Sequence, residues 1–123
     1  MTGEPARQAA WHAEAAAEAV RALNHATQPW GDGLTGPADV YDVLGSLELL
    51  TARLPQALSQ LQAYLTREHT AGRVRIIDGE HAGDPAAAVA ATACQLEQAT
   101  RAAGSLREAL EHARELLAWA ANT

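Results

Sequence analysis

Lysine and phenylalanine are both missing from this sequence of 123 residues, cysteine occurs once, and aromatic residues are scarce. Each shortage excludes something. A lone Cys94 removes any intramolecular disulfide and any cysteine-based zinc cage. Every one of the nine basic residues is arginine, set against 15 acidic residues, and the formal net charge is -6. A protein that held duplex DNA mainly by charge would carry a basic excess, so direct nucleic-acid binding is not expected. No apolar run approaches the roughly 18 residues that a membrane helix requires. Residues 1–7 lack an apolar stretch behind a basic start, so no secretory signal is expected and the cytoplasm is the expected location. What the chain has in plenty is alanine, with 30 residues, and leucine, with 15. At this length the expectation is one all-α domain spanning residues 1–123.

Three helices are predicted, at about 5–28, 37–70 and 85–121, forming an elongated antiparallel three-helix bundle. The first opens at Thr2-Gly3-Glu4-Pro5, a capping residue followed by an early proline. Its inward stripe is thin: Ala9, Ala13, Ala16, Val20, Leu23 and Thr27. Residues 28–36, with Pro29 and three glycines, form a loop. The second helix begins at Pro37, capped by Thr35 or Gly36, with Asp39 and Asp42 near the positive end of its dipole. Val40, Leu44, Leu47, Thr51, Leu54, Leu58, Leu61 and Leu65 step by four and three, a heptad seam with one polar position. Val43, Leu50, Ala57 and Tyr64 widen it on one side. Pro55 interrupts this ladder at a cost of about 3 kcal/mol. Because the seam keeps register across it, a kinked continuous helix is expected, with a break as the alternative.

Asp84-Pro85 opens the third helix, where Val89, Leu96, Ala103, Leu110 and Leu117 recur every seven residues. Thr92, Ala99, Leu106, Ala113 and Ala120 follow three residues after each and complete the predicted seam. The intervening segment 73–81 is different. Arg73-Val74-Arg75-Ile76-Ile77 is β-branched, and Asp78-Gly79 is a turn dipeptide, so a short extended or β-hairpin-like segment is expected.

The predicted lengths have a consequence. At a rise of about 1.5 Å per residue the first helix covers only the first two-thirds of the second. The far end, with Leu61, Tyr64 and Leu65 facing Val89, Ala93 and Leu96, lacks a third helix. Either the 71–83 segment folds over that apolar surface or a second copy of the chain does, giving a homo-oligomer, in the first instance a dimer.

Chemistry-bearing groups are sparse. Glu108, Glu111, His112 and Glu115 have metal-ligand residue types, yet no matching motif stands on the other helices, and a solvated face with an Arg107–Glu111 pair is the better reading. His12, His25, His69 and His81 are scattered. No serine sits in a glycine-flanked nucleophile elbow, and no glycine cluster is followed by the residues of a phosphate loop. Catalytic, cofactor and metal sites are therefore not expected, and no enzyme activity is. Trp11 and Trp119 fall off the inward stripes of their helices, which suits either interface anchors or boundary positions shielded by a neighbouring loop. Arg73, Val74, Arg75 and Ile76 offer either a strand edge for a partner or a small basic spot. The candidate interface is accordingly Leu61, Tyr64, Leu65, Arg73, Val74, Arg75, Ile76, Trp11 and Trp119.

The block Gly36-Pro37-Ala38-Asp39-Val40-Tyr41-Asp42-Val43-Leu44-Gly45, with Leu54-Pro55-Gln56-Ala57-Leu58 and Asp84-Pro85, resembles small uncharacterised helical proteins of actinobacteria. Such proteins often lie among genes of conjugative or integrative elements, and arginine without lysine agrees with a GC-rich genome. The turn Trp30-Gly31-Asp32-Gly33, with Tyr64-Leu65-Thr66-Arg67-Glu68, more faintly resembles the WXG100 secretion substrates. The chain departs from that pattern in having Trp-Gly-Asp-Gly for Trp-x-Gly and a third long helix. The expected function is a non-enzymatic interaction or self-association module, in the resemblance's terms an accessory protein of an actinobacterial mobile element. The alternatives are a regulator that contacts nucleic acid as an oligomer and a secreted helical protein.

Overall fold

The computed structural model describes residues 8–122, and among them it contains three helices and no strand. They are α1 (Ala9–Ala26), α2 (Pro37–Thr70) and α3 (Pro85–Leu116). The predicted start at Thr2–Pro5 lies outside the described residues. Both outer helices are shorter than their predicted spans. α1 stops before Gln28-Pro29, because a residue preceding proline is pushed out of the helical region.

α2 runs unbroken through Pro55 for 34 residues. Its end is a Schellman turn: the Arg73 N–H bonds the Glu68 carbonyl, the Gly72 N–H bonds the His69 carbonyl, each at 2.9 Å, and Gly72 takes a φ of 75° that needs no Cβ. Beyond it, residues 73–77 form no ladder. Of the extended or hairpin-like forms expected, no strand is present, and the segment is a connection joined across its width by the bond from the Gly83 N–H to the Ile76 carbonyl. Among the described residues no neighbouring strand stands beside these to complete a sheet. Asp84 then caps α3 as its residue type and the following proline predict, its carboxylate accepting from the Ala87 N–H at 3.1 Å.

α2 and α3 pack antiparallel and make the body of the fold. The register is set by Arg114, whose Nε donates to Glu48 at 2.7 Å and whose Nη1 donates to the Tyr41 hydroxyl at 3.1 Å. The two most buried residues, Thr51 at 4% exposure and Ala103 at 7%, stand one on each helix near mid-length. Both side chains are small, and small side chains on a seam let helices approach closely.

The packing stripe corrects the predicted seam. Its constant members are as expected, Leu44, Thr51, Leu58 and Leu65 on α2, Val89, Leu96, Ala103 and Leu110 on α3, and Leu117 just past its end, all at least half-buried. The intervening members lie four residues on rather than three. Glu48, Pro55, Gln62 and His69 on α2, and Ala93, Thr100, Arg107 and Arg114 on α3, are turned inward. Leu54, Leu61 and Leu106, predicted inside, are exposed. Hydropathy favours the apolar choice at each step, whereas the helices meet on the side where Glu48 and Arg114 pair.

α3 ends at Leu116 instead of 121, although Ala118, Ala120 and Ala121 are good helix formers. The chain turns there and returns Asn122 to the start of α2. Its Oδ1 accepts the Ala38 N–H at 2.7 Å, and its Nδ2 donates to Asp39 and Thr35. Gly36 has no side chain to cap α2, so a residue more than eighty positions away does so. A Cβ at Gly36 would collide with the Asn122 side-chain amide, which makes glycine a requirement of this arrangement.

α1 is held differently. No Cα of α1 comes within 8 Å of one in α2 or α3, whereas close-packed helices have axes only about 8–10 Å apart. Between α1 and α2 lies an apolar cleft of about 360 Å³, walled by Ala19, Val20 and Leu23 on one side and Val43, Leu47 and Leu50 on the other.

Replacing the buried Ala103 by leucine forces extra volume into the α2–α3 seam and costs about 1–3 kcal/mol, seen as a lower denaturant midpoint. A midpoint unchanged from the parent would mean that the helices do not meet at this residue.

Candidate functional site

α2 carries a second apolar stripe. Val43, Leu47, Leu50, Leu54, Ala57, Leu61 and Tyr64 step by four and three, and each stands one residue before a member of the α3-facing stripe. One residue turns an α-helix by about 100°, so the second stripe faces sideways from the hairpin. On α3 the positions one residue before its packing stripe include Ala99, Ala102, Leu106, Ala109 and Ala113. For antiparallel neighbours an equal backward rotation turns both helices toward the same side. The hairpin therefore presents one face with leucine along α2 and alanine along α3.

α1 stands over the first half of that face only. Past Leu50, Leu61 is 55% exposed and Tyr64 is 57% exposed, and the 71–83 connection leaves both uncovered. Leu65 is half-buried on the stripe that packs against α3, so it sits around the helix from these two. The Arg67 guanidinium lies 5.9 Å from the centre of the Tyr64 ring, a cation–π arrangement that keeps the ring on the surface.

The remaining candidates fall elsewhere. Arg73 is tied to its own chain: its Nε donates to the Glu68 carboxylate, which Arg73 draws below the usual carboxylate range. Val74 and Ile76 are half-buried and Arg75 and Ile77 exposed, with no strand edge among them. Trp119 lies beyond the end of α3 rather than on it, and is 96% exposed. Trp11 is part-exposed on α1, its ring edge-on to His12 with centroids 5.1 Å apart. Leu61 and Tyr64 are thus brought together, and the other positions are not joined to them.

The acidic face of α3 is solvated. Arg107 pairs with Glu111 at 3.8 Å, and among the described residues no three His, Cys, Asp or Glu side chains are grouped to hold a metal. No described helix is long and apolar enough to cross a membrane. Two features escape a reading of the sequence: the Glu48–Arg114–Tyr41 cluster, where the guanidinium also lies 5.4 Å from the Tyr41 ring centre, and the Asn122 cap. Each joins residues more than sixty positions apart, and no local spacing encodes that. No family model matches the chain, and no curated protein or solved structure does either.

Asp39 titrates below the usual carboxylate range. The Thr35 N–H is the main cause, followed by the Thr35 hydroxyl and the Asn122 amide, all bonding the charged form. A carboxylate lowered in the folded state adds stability above its unfolded value and loses it as pH falls through the folded one. Stability should therefore decline between about pH 5 and pH 2, and Asp39→Asn should flatten part of that decline. Denaturant unfolding at stepped pH measures it, and parallel curves for parent and variant would contradict the assignment.

Proposed function

We propose that the protein is a non-enzymatic interaction module that self-associates through the uncovered half of α2. The observation that carries this reading is the second apolar heptad on α2, whose large members Leu54, Leu61 and Tyr64 remain exposed with every described element in place. Scattered exposed leucines are ordinary on a monomer; a heptad-spaced row of them beside an alanine-lined neighbour is the pattern of a helix-docking face. The α1–α2 cleft, lined mainly by alanine, valine and leucine with Asp42 and Ser46 among them, offers largely apolar contact, which also favours a docking role. In the setting that the Gly36–Gly45 and Leu54–Leu58 blocks suggest, the module would act in the cytoplasm as an accessory protein of an actinobacterial mobile element.

Leu61→Arg places a charge in the docking row and removes one apolar anchor. Losing about 1.5–3 kcal/mol of burial corresponds to at least tenfold weaker self-association. Sedimentation of parent and variant over a concentration series reads this directly. Identical mass distributions would count against the α2 face, provided the variant keeps its helical circular dichroism.

A further inference from the structure

Resting on the self-association reading above, we infer that α1 is a swinging, autoinhibitory cover: it lifts off the first half of the apolar row of α2 while the hairpin stays folded, and when closed it keeps that half from a partner. Little holds α1 down. No Cα of α1 lies within 8 Å of the hairpin helices, and its side of the intervening cleft of about 360 Å³ is Ala19, Val20 and Leu23. Val20 is 36% exposed even with α1 in place. Side chains that face one another across an open gap forgo much of their dispersion contact. Nor does α1 need the hairpin in order to be a helix. Nine of its 18 residues are alanine, the strongest helix former, and Glu18 pairs with Arg21 along it. Its length exceeds the roughly 12–15 residues below which an isolated helix is marginal. Such a helix can leave its neighbour without unfolding.

The linkage supplies a swivel. The turn after α1 is wrapped onto the helix end: the Gly31 N–H bonds the Gln28 carbonyl at 2.8 Å and the Gly33 N–H bonds the Ala26 carbonyl at 3.2 Å. A Cβ at Gly33 would stand 2.7 Å from the Ala26 oxygen, so α1 and residues 27–33 fit together as one body. On the other side Thr35 is fastened to α2, its N–H and its hydroxyl each donating to Asp39 at 2.7 Å. Leu34 stands between the two knots and, among the described residues, makes no hydrogen bond. Rotation about its backbone swings α1 with both knots intact, as a hinge of one or a few residues does. The movement uncovers Val43, Leu47 and Leu50, the far wall of the cleft. These continue the spacing of Leu54, Leu61 and Tyr64, so the open form presents one row of about twice the exposed length. A partner that docks along the whole row binds only the open form, and its apparent affinity falls in proportion to the open fraction.

The test uses the full chain with Cys94→Ser, spin-labelled at Glu14→Cys on α1 and Arg53→Cys on α2, both exposed positions, and diluted into unlabelled chain. Pulsed electron-resonance distances between the labels should fall in two populations, one short and one long. The hairpin pair Arg53→Cys with Glu97→Cys should give one. Leu23→Gln keeps helix propensity but removes the largest apolar contact of α1, and should move the Glu14–Arg53 distances toward the long population. Ala19→Leu fills the cleft and should move them toward the short one. In sedimentation the unlabelled Leu23→Gln chain should associate about tenfold more strongly than Ala19→Leu, following the open fraction. Retained helical circular dichroism is verified for each variant. A single short distance that Leu23→Gln does not move overturns the swing. Distances that move while both variants associate equally overturn the autoinhibitory role. Monomers at every concentration in both variants overturn the self-association reading and that role with it, while the distances still decide the swing.

Discussion

The seam between α2 and α3, in which Thr51 and Ala103 are buried, is the constraint from which the rest of the molecule follows. Two long helices pack most closely where small side chains stand between them. Once they do, the side on which they meet is decided for their whole length, because a straight antiparallel pair has a single seam. Arg114 fastens that choice by joining Glu48 and Tyr41 from across the interface. The seam so chosen is rich in polar groups, with Thr51, Gln62, Thr100 and Arg107 turned inward. The most apolar rows are left on a flank.

That division explains why so little of the chain is fully buried and why α1 is needed without being tightly bound. α1 offers mainly alanine, with Val20 and Leu23 as its larger contacts, and these meet Val43, Leu47 and Leu50 across an open cleft. Short side chains on a helix that stands this far off cannot fill the space between. The result is a firm hairpin with a loosely applied third helix, and a leucine row that continues past where the third helix ends.

The ends of the long helices are set by tertiary as much as local chemistry. At Asp84 and at Ala71-Gly72 the usual capping devices operate, an acid before proline and a left-handed glycine. At the start of α2 the local cap is missing, since Gly36 carries no side chain. Asn122 supplies it at the expense of the last turn of α3. The same exchange frees Trp119 from the helix and leaves it in solvent.

By itself the sequence determined three helices, the unbroken passage through Pro55, the Asp84 cap and the members of each seam that recur every seven residues. These are local matters, governed by side-chain periodicity and by which residues tolerate a helix end. Helix length alone also placed Leu61, Tyr64 and Leu65 beyond the reach of α1; Leu61 and Tyr64 are exposed, whereas Leu65 turns toward α3. Which of two rows one residue apart would face α3 was beyond it. Rows separated by one step of about 100° are both consistent with the same periodicity, and hydropathy favours the leucine row. Only the assembled hairpin decided otherwise, because Arg114 on α3 meets Glu48 and Tyr41 on α2 although more than sixty residues separate them in the chain.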